Sequence, residues 1–407
     1  MTTLINADTS GGLKMTSDTS GVLDIQSAGS TKLTVSSTGV DIPVISTING
    51  LTSINGGQVG GRRNIVINGA MKVCQRPASV TGLGVDSGYF TLDRWYLFFQ
   101  ATAGRLTMAQ VADGPAGFAN CLKLTTTTAD TSIAAGERLQ LLQVFEGQDL
   151  QQLKKGTSSA EAVTVSFYVK ANAAALYVCE LLDSDGSRMN TQSFAVTTDW
   201  NRIELTFVGD TASAIVDDNT ASLYLSIWLH GGSNFTSGTF ASNTWAASTA
   251  ANRYAVADRT SIFDSTNRTF FITGVQMELG STATDFESRS FGEELALCQR
   301  YFTKSFPYGT APAQSGGITG SITAEGQAAS SPAYAYATFK NTMRAAPTIV
   351  TFNPSAANAN WRNTASGGAL TVALLYTSDA GTFIGSNTEV LAQYQVCAIH
   401  YSATAEL

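Results

Sequence analysis

Runs in which apolar and polar residues alternate are the feature that most constrains how this chain folds. The clearest of these runs span residues 163–170, 202–207 and 223–230. Successive side chains of an extended strand point to opposite faces, so each run predicts a strand with one face in a core. Turn-rich loops separate the runs, and this arrangement predicts two packed antiparallel sheets between residues 64 and 286.

The composition also favours an all-β fold. Charged residues make up 14% of the 407 residues, against about 25% in typical globular domains. Gly, Ser, Thr, Ala and Asn take their place, a mixture common in all-β proteins with many turns. The formal charge is −7, and the 24 Lys and Arg residues form no basic run. Because nucleic-acid binding depends on clustered cations, we expect no nucleic-acid partner.

Cysteine content and hydropathy bear on where the protein is made. The five cysteines are odd in number and far apart in the sequence, which argues against a disulfide framework. We interpret them as small buried residues of a protein made in a reducing cytosol. The chain start lacks the pattern of a signal peptide, and no apolar stretch approaches the roughly 20 residues that span a bilayer. We therefore expect neither a signal peptide nor membrane insertion.

The first sixty residues contain a short repeat. Ala7–Gly11 (ADTSG) recurs as Ser17–Gly21 (SDTSG), and short alternating pieces with turn glycines follow, including residues 22–25 and 33–35. One such repeat cannot bury its own apolar side, so it predicts stacking with further copies, as in a trimeric β-prism or β-spiral. A disordered tail rich in Ser, Thr and Gly is the alternative.

Two helices are expected within the β-rich sequence. Asp149 and Gln152 have the spacing of a helix start, and Gly156 would end that helix. A second helix is predicted over Phe291–Phe302, with Leu295 and Cys298 on one apolar face.

After this helix the strand pattern returns. The segments 333–339, 348–352, 369–376 and 394–401 are apolar and rich in β-branched or aromatic residues, which predicts a small β-sandwich. The chain is therefore divided into four parts: residues 1–60 (β-repeat), 61–290 (central sandwich), 291–304 (connector helix) and 305–407 (C-terminal β-domain).

Sequence signatures of enzymes are mostly absent. The chain has no G-x-S-x-G, P-loop or H-E-x-x-H motif, and its two histidines, His230 and His400, cannot supply a usual metal or triad site. We expect no catalytic residue, no metal and no cofactor. Asp183–Ser187 resembles a fragment of a calcium loop, but its Asp-Gly pair between apolar strands favours a hairpin turn.

Aromatic side chains are the candidate ligand-binding residues, because flat rings stack on the apolar faces of sugars. Tyr224 and Trp228 lie on the strand face opposite the predicted core. Further candidates lie in the C-terminal part of the chain: Tyr308, Tyr334, Tyr336 and Trp361. The alternative is that these rings fill cores or subunit interfaces, and for any single ring this alternative is favoured.

Several segments resemble a known group of viral proteins. Two pairs of segments are similar to the opening and closing parts of a jelly-roll domain in bacteriophage tail fibres, notably those of marine phages. The opening pair is Asn64–Arg76 followed by Thr91–Trp95, and the closing pair is Phe271–Phe286 followed by Phe291–Phe302. The sequence Met343–Ile349 resembles a short motif that recurs in phage fibre tips. The succession of strands is similar to that of jelly rolls of the carbohydrate-binding-module type.

The resemblance implies a function as well as a fold. It implies a homotrimeric tail fibre in the virion, made in the host cytoplasm, whose residues 1–60 attach to other tail or adaptor proteins. Residues 305–407 would then face the host and bind a surface polysaccharide or protein receptor, with no covalent step. Two alternatives remain open at this stage: a purely structural tail or head-decoration protein, and a capsule-depolymerase tailspike, because paired carboxylates have no fixed sequence spacing.

The N-terminal repeat leads to a prediction about assembly. Short strands punctuated by glycine bury too little apolar area per chain to offset an ordering entropy of about 1–2 kcal/mol per residue. We therefore expect the intact protein to be a parallel trimer at micromolar concentration. Multi-angle light scattering measures this directly, and a monomeric mass would contradict the prediction.

Overall fold

The computed structural model describes residues 62–326, 332–386 and 391–407, together with five short strands that precede residue 62. These five strands are β1 (Leu23–Ser27), β2 (Ser30–Ser36), β3 (Gly39–Asp41), β4 (Ser53–Ile54) and β5 (Gly57–Gln58). The chain divides into two compact units, Met1–Ile54 and Asn55–Leu407. The repeats Ala7–Gly11 and Ser17–Gly21 lie outside the described residues.

In the first unit, β1, β2 and β3 form a three-stranded antiparallel sheet. The predicted strand pieces at 22–25 and 33–35 fall in β1 and β2, where Ile25 pairs with Leu33. The Ile25 side chain is 49% exposed in the single chain.

The second unit begins with a β-sandwich, as the alternating runs predicted. Its strands are β6 (Ser79–Leu83), β7 (Tyr96–Gln100), β8 (Arg105–Val111), β9 (Cys121–Thr128), β10 (Arg138–Glu146), β11 (Val163–Lys170), β12 (Ala175–Asp183), β13 (Arg188–Val196), β14 (Asn201–Phe207), β15 (Ala221–Gly231), β16 (Ala246–Ala247) and β17 (Thr269–Leu279). Sheet A has the order β16-β13-β12-β15-β10-β7, and sheet B has the order β14-β11-β17-β9-β8-β6. Non-consecutive antiparallel neighbours in both sheets make this a jelly-roll type of sandwich.

Aromatic rings from the two sheets meet in the sandwich core. The ring of Phe167 in β11 lies 5.0 Å from that of Phe194 in β13, and Tyr177 in β12 lies 5.5 Å from Phe270 in β17, both edge to face. All four side chains are buried. The strands therefore place their apolar residues between the sheets, at the positions that period-two alternation predicted.

The outer face of sheet B is also covered, by the segment that follows β17. Thr164 Oγ1 donates to the carbonyl of Gly280 at 2.8 Å, and the Arg202 guanidinium donates to the carbonyl of Thr284. Thr164 and Ser166 are consequently buried although they face away from the core. Alternation predicted the direction of these side chains, whereas their burial depends on a loop more than a hundred residues away.

The helical segments are shorter than the sequence predicted. Instead of a helix from Asp149 to Gly156, two 3-10 turns occupy Gly147–Asp149 and Gln151–Leu153, and the Asp149 side chain makes no capping bond. Gly156 has φ +80° and a Cβ there would lie 2.4 Å from the backbone nitrogen of Ala214, so only glycine fits this turn. A third 3-10 turn occupies Ala250–Asn252, and α1 is a single turn at Ser233–Thr236.

The second predicted helix is present as α2 (Phe291–Gln299). Ser290 and Glu293 form a capping box that fixes its start. The helix ends before Phe302, which begins the next strand. Its buried side includes Glu294 rather than Leu295, because Glu294 Oε1 accepts hydrogen bonds from Asn68 N at 2.5 Å and from the Arg289 guanidinium.

The C-terminal β-domain contains the remaining strands. They are β18 (Phe302–Lys304), β19 (Ile322–Glu325), β20 (Tyr334–Thr338), β21 (Thr348–Phe352), β22 (Trp361–Asn363), β23 (Ala369–Leu370), β24 (Val372–Thr377), β25 (Gly381–Ser386) and β26 (Val396–Thr404). The long strand β26 pairs with β18, β19, β21 and β22, and a second sheet has the order β20-β25-β24. This domain has its own hydrophobic cluster, which includes Trp361, Ile384 and Ile399.

A buried cluster of charges joins the two parts of this unit, and we call it the junction cluster: Arg76, Asp93, Arg94 and Glu406. Arg76 lies 2.7 Å from Asp93 and 3.0 Å from Glu406, and Arg94 lies 2.5 Å from Glu406. All four side chains are nine-tenths buried or more. The segment after the last strand, which carries Glu406, is therefore fixed to the opening segment of the sandwich.

Rings and a second ion pair extend this contact. The Arg76 guanidinium lies 3.8 Å from the ring centre of Phe302, and that of Arg94 lies 3.5 Å from Tyr301. Glu146 at the end of β10 pairs with Arg300 at 2.6 Å and accepts a 2.5 Å hydrogen bond from the Tyr301 hydroxyl. The segments that resemble phage tail fibres thus meet one another in space.

All five cysteines are buried and unpaired, and no described helix is long and apolar enough to cross a membrane.

The junction cluster predicts a large effect for one neutral substitution. Glu406→Gln leaves the buried Arg94 without its carboxylate, so we expect a loss of about 3 kcal/mol of unfolding free energy. Glu204→Gln is the matched control, because Glu204 pairs with Arg202 at the surface and its loss should cost about 0.5 kcal/mol or less. Differential scanning calorimetry of the full chain compares the two variants, and equal melting temperatures would contradict this account.

Glu146 predicts a specific dependence on pH. Burial acts to raise the pKa of Glu146, but the hydrogen bonds from Arg300 and Tyr301 outweigh it and hold that pKa below its ordinary value. A carboxyl whose folded-state pKa is lowered stabilises the fold above its unfolded pKa of about 4.3, and this contribution is lost as pH falls through the folded-state value. We expect Glu146→Gln to be less stable than the wild type at pH 7, with a difference that shrinks below about pH 4.

Urea unfolding of both proteins across this pH range measures the difference. Glu161→Gln serves as the control, because Glu161 forms an exposed pair with Lys154. A Glu146→Gln deficit that stayed constant down to pH 3 would show that the ion pair does not carry the stabilisation.

Candidate functional site

Four aromatic side chains on the second sheet of the C-terminal domain form the most exposed cluster of rings described, and we call it the aromatic row: Tyr334, Tyr336, Phe383 and Tyr376. Tyr334 and Tyr336 are two residues apart on β20 and share one face. Tyr336 pairs with Phe383 on β25, and Phe383 pairs with Tyr376 on β24. The row therefore crosses all three strands.

Phe383 contacts the rings of Tyr334 and Tyr376, and the three tyrosines of the row are open to solvent. The centroids of Tyr334 and Phe383 are 5.5 Å apart with nearly parallel planes, and those of Tyr376 and Phe383 are 6.5 Å apart. The exposed fractions of Tyr334, Tyr336 and Tyr376 are 48%, 59% and 78%. Such exposure of neighbouring large rings is unusual for a folded surface and is typical of a binding site.

A β-bulge brings Tyr376 onto this face. Leu374 pairs with Ile384 and Tyr376 pairs with Phe383, so the register shifts by one residue between them. Without the bulge, Tyr376 would pair with Thr382 and lie on the same face as Ile384. Bulges that re-aim a side chain in this way are common next to functional sites.

Gly381 gives the Tyr336 ring room to lie along the sheet. A Cβ at position 381 would be only 2.5 Å from the Tyr336 hydroxyl oxygen. On the other face of the same strands, Ala337 and Ile384 are buried in the domain core. The strands that carry the row are therefore held in place, because their other face packs in the domain core.

The dimensions of the row suit a chain of sugar rings. Neighbouring strands lie about 4.8 Å apart, so rings on three strands span roughly 10 Å, about the length of two linked pyranoses. Aromatic faces contact the apolar C–H faces of sugars, and tyrosine hydroxyls at the edge can exchange hydrogen bonds with sugar hydroxyls. The arrangement offers stacking faces and hydrogen-bonding edges of the kind that a glycan can occupy.

Tyr308 and Trp361, which were also candidates, have structural positions. Tyr308 is 38% exposed, and its hydroxyl accepts a hydrogen bond from Cys74 N at 2.9 Å, so it ties the C-terminal domain to the sandwich. Its ring meets Phe291 edge to face at 5.1 Å. Trp361 is 0% exposed in the C-terminal core. The structure does not bring either residue into the aromatic row.

Trp228 lies on the outer face of sheet A, as alternation predicted, but its own chain covers it. Tyr254 stacks on its ring at 5.8 Å and Phe235 packs beside it at 5.4 Å. Its Nε1 donates to Glu180 Oε2 at 2.9 Å, and Arg253 binds the same carboxylate. Trp228 is 0% exposed, so it offers no open ring face to a ligand.

Tyr224 on the same face is partly exposed, and burial raises its pKa.

The predicted turn at Asp183–Ser187 is confirmed as the hairpin between β12 and β13, where Asp183 Oδ1 accepts a hydrogen bond from Gly186 N at 3.0 Å. The structure therefore assigns this sequence to a turn.

One cluster that sequence reasoning missed could hold a metal ion. Asp130, Glu137 and His230 are all buried, and one potential ligand atom from each lies within 4.8 Å of the other two. Asp130 and Glu137 share the β9–β10 loop, but His230 lies about ninety residues further on in β15, so no spacing rule would find the set. Of the aromatic row, Phe383 was missed because no strand was predicted over β25 (Gly381–Ser386).

Comparisons with known proteins found weak similarities to solved structures only. No protein-family model matches the chain, and no curated protein matches it. Among solved structures, a family 4 carbohydrate-binding module is similar over 52% of this chain and 97% of its own length, at 15% identity and a TM-score of 0.27. The family 11 module of a cellulosomal cellulase of Clostridium thermocellum covers 50% of this chain and 98% of its own length, at 12% identity and a TM-score of 0.25.

The enzymatically active domain of tailspike protein 4 of bacteriophage CBA120 is similar over 46% of this chain and 19% of that chain, at 13% identity and a TM-score of 0.24. TM-scores of this size do not establish a common fold. The assignment of a jelly-roll sandwich rests on the strand order of sheets A and B.

Proposed function

We propose that this chain is an adhesion protein of a bacteriophage tail that binds a polysaccharide of the host surface without a covalent step. The observation that carries the proposal is the aromatic row, whose tyrosines are 48–78% exposed on a sheet with a packed rear face. Solvent-exposed rings in contact cost hydrophobic free energy unless a ligand covers them, and sugar rings have the matching flat apolar faces.

The viral part of the proposal rests on the resemblance of the opening and closing segments to phage tail fibres. The residues that those segments contribute, including Arg76, Asp93 and Tyr301, form the junction cluster and its ring contacts. They therefore serve to position the C-terminal domain, which is what an adhesion protein with a binding site in that domain requires.

Trimerisation would strengthen binding at each site. We propose that residues 1–60 assemble three chains and attach them to other tail or adaptor proteins, which agrees with the half-exposed Ile25 of β1. Three weak contacts that engage one surface together bind by avidity, so each row needs only modest affinity. A purely structural tail or head-decoration protein would have no use for the row, and a depolymerase would require catalytic carboxylates near it.

Substitutions in the row test the proposal. We expect the full chain to bind at least one polysaccharide on an array of bacterial capsular polysaccharides and lipopolysaccharide O-chains. Tyr336→Ala and Tyr376→Ala should each weaken that binding about tenfold, because each removes one stacking face, worth roughly 1.4 kcal/mol.

Tyr394→Ala is the matched control, because Tyr394 is 73% exposed but lies in the turn before β26. It should bind as the wild type does. Binding that survives both row substitutions would move the site elsewhere, with the face around Tyr224 as the next candidate. Release of reducing ends from a bound polysaccharide would instead show a depolymerase.

A further inference from the structure

We propose that Asp130, Glu137 and His230 form a binding site for a zinc ion at one edge of the sandwich, and we call this set the carboxylate–histidine site. Asp130 follows β9, Glu137 precedes β10, and His230 lies near the end of β15. His230 Nε2 is 3.1 Å from Glu137 Oε2, and the three potential ligand atoms lie within 4.8 Å of one another. Ligand atoms around a tetrahedral zinc are roughly 3.3 Å apart, given Zn–N and Zn–O bonds of about 2.0 Å.

Charge is the first argument for a cation. The side chains of Asp130, Glu137 and His230 are 5% exposed or less. Among the described residues neither carboxylate forms an ion pair with Lys or Arg, and Glu137 pairs only with His230. Two buried carboxylates without a cationic partner are costly. A divalent ion neutralises both charges at once.

The second argument is that groups outside the site already hold two of the ligands in place. One oxygen of Asp130, Oδ2, accepts hydrogen bonds from Thr102 Oγ1 at 3.1 Å, from Ala103 N at 2.9 Å and from Gly104 N at 3.2 Å. His230 Nδ1 lies 2.8 Å from Ser261 Oγ. When Nδ1–H donates to that oxygen, Nε2 is left as a lone pair directed at the cluster. Partners of this kind orient metal ligands in known sites.

The ligand set selects the class of ion. Calcium and magnesium take six or more oxygen ligands, whereas one imidazole with two carboxylates is a set that zinc accepts. Three protein ligands leave a fourth tetrahedral position to water. A cavity of about 330 Å³ lined by Gly231 and Ser261 lies beside His230, on the side of its Nδ1 atom.

Zinc at this site would link the β9–β10 loop, which carries Asp130 and Glu137, to His230 at the end of β15. The same loop contacts the segment after β15, because Asn234 N donates to the carbonyl of Ala135 at 3.0 Å. The segment after β15 carries Phe235 and Tyr254, which cover Trp228. The expected role is therefore structural, in holding that cover against sheet A. This role is independent of the aromatic row, which lies on a different sheet.

Metal content and thermal unfolding of the full chain test the site. After treatment with EDTA and reloading with zinc chloride, we expect one zinc per chain by mass spectrometry after gel filtration. The melting temperature should rise by about 5 °C at a zinc concentration of 100 times Kd. Cobalt added to the stripped protein should give the visible absorption of a tetrahedral site.

Variants separate this site from other metal binding. Glu137→Gln preserves shape and His230→Asn removes the imidazole, and each should weaken zinc binding by about 100-fold or more. His400→Asn is the control, since His400 is the other histidine of the chain and lies in the C-terminal domain. It should bind zinc as the wild type does. If His230→Asn does not fold by circular dichroism, Glu137→Gln and the cobalt spectrum decide.

Three results would overturn the proposal. The first is a wild-type protein that retains no zinc and shows no change in melting temperature, which would mean that the cluster shares a proton instead. The second is undiminished zinc binding in Glu137→Gln. The third is stabilisation by calcium chloride but not by zinc chloride.

Discussion

The buried charges of the junction cluster are the interaction on which the rest of the second unit depends. Burying Arg94 and Glu406 is costly unless they remain paired, so the segment after β26 has one place where it can lie. Glu406 follows β26 by two residues, and β26 pairs with four other strands of the C-terminal domain. The position of that single strand therefore sets the position of the whole domain on the sandwich.

With the C-terminal domain held in one position, the sandwich and that domain differ in which aromatic rings they expose. In the sandwich, Trp228 is covered by Tyr254 and Phe235, and the segment after β17 covers the outer face of sheet B. In the C-terminal domain, Tyr336 and Tyr376 are open, and the strands that carry them have a buried rear face. The sandwich thus acts as a rigid support, and the C-terminal sheet carries the exposed aromatic rings. This division is common in proteins whose sites lie on a packed framework.

Local patterns predicted most of the long strands and the helix α2, because alternation and helical periodicity depend on neighbours in sequence. They could not predict features set by distant residues. The bulge between Leu374 and Tyr376 reverses the face of one ring, and alternation alone would place Tyr376 with the core residues. Glu294 is buried because Asn68 and Arg289 contact it, and His230 meets Asp130 and Glu137 although it is far from both in sequence.

The most direct test of the account is a structure of the full chain with an oligosaccharide fragment of the polysaccharide that it retains. The account predicts sugar density over Tyr336, Phe383 and Tyr376, with pyranose rings parallel to the aromatic rings and unchanged contacts between Arg94 and Glu406. Sugar density on the outer face of sheet A, with the cover over Trp228 displaced, would contradict it.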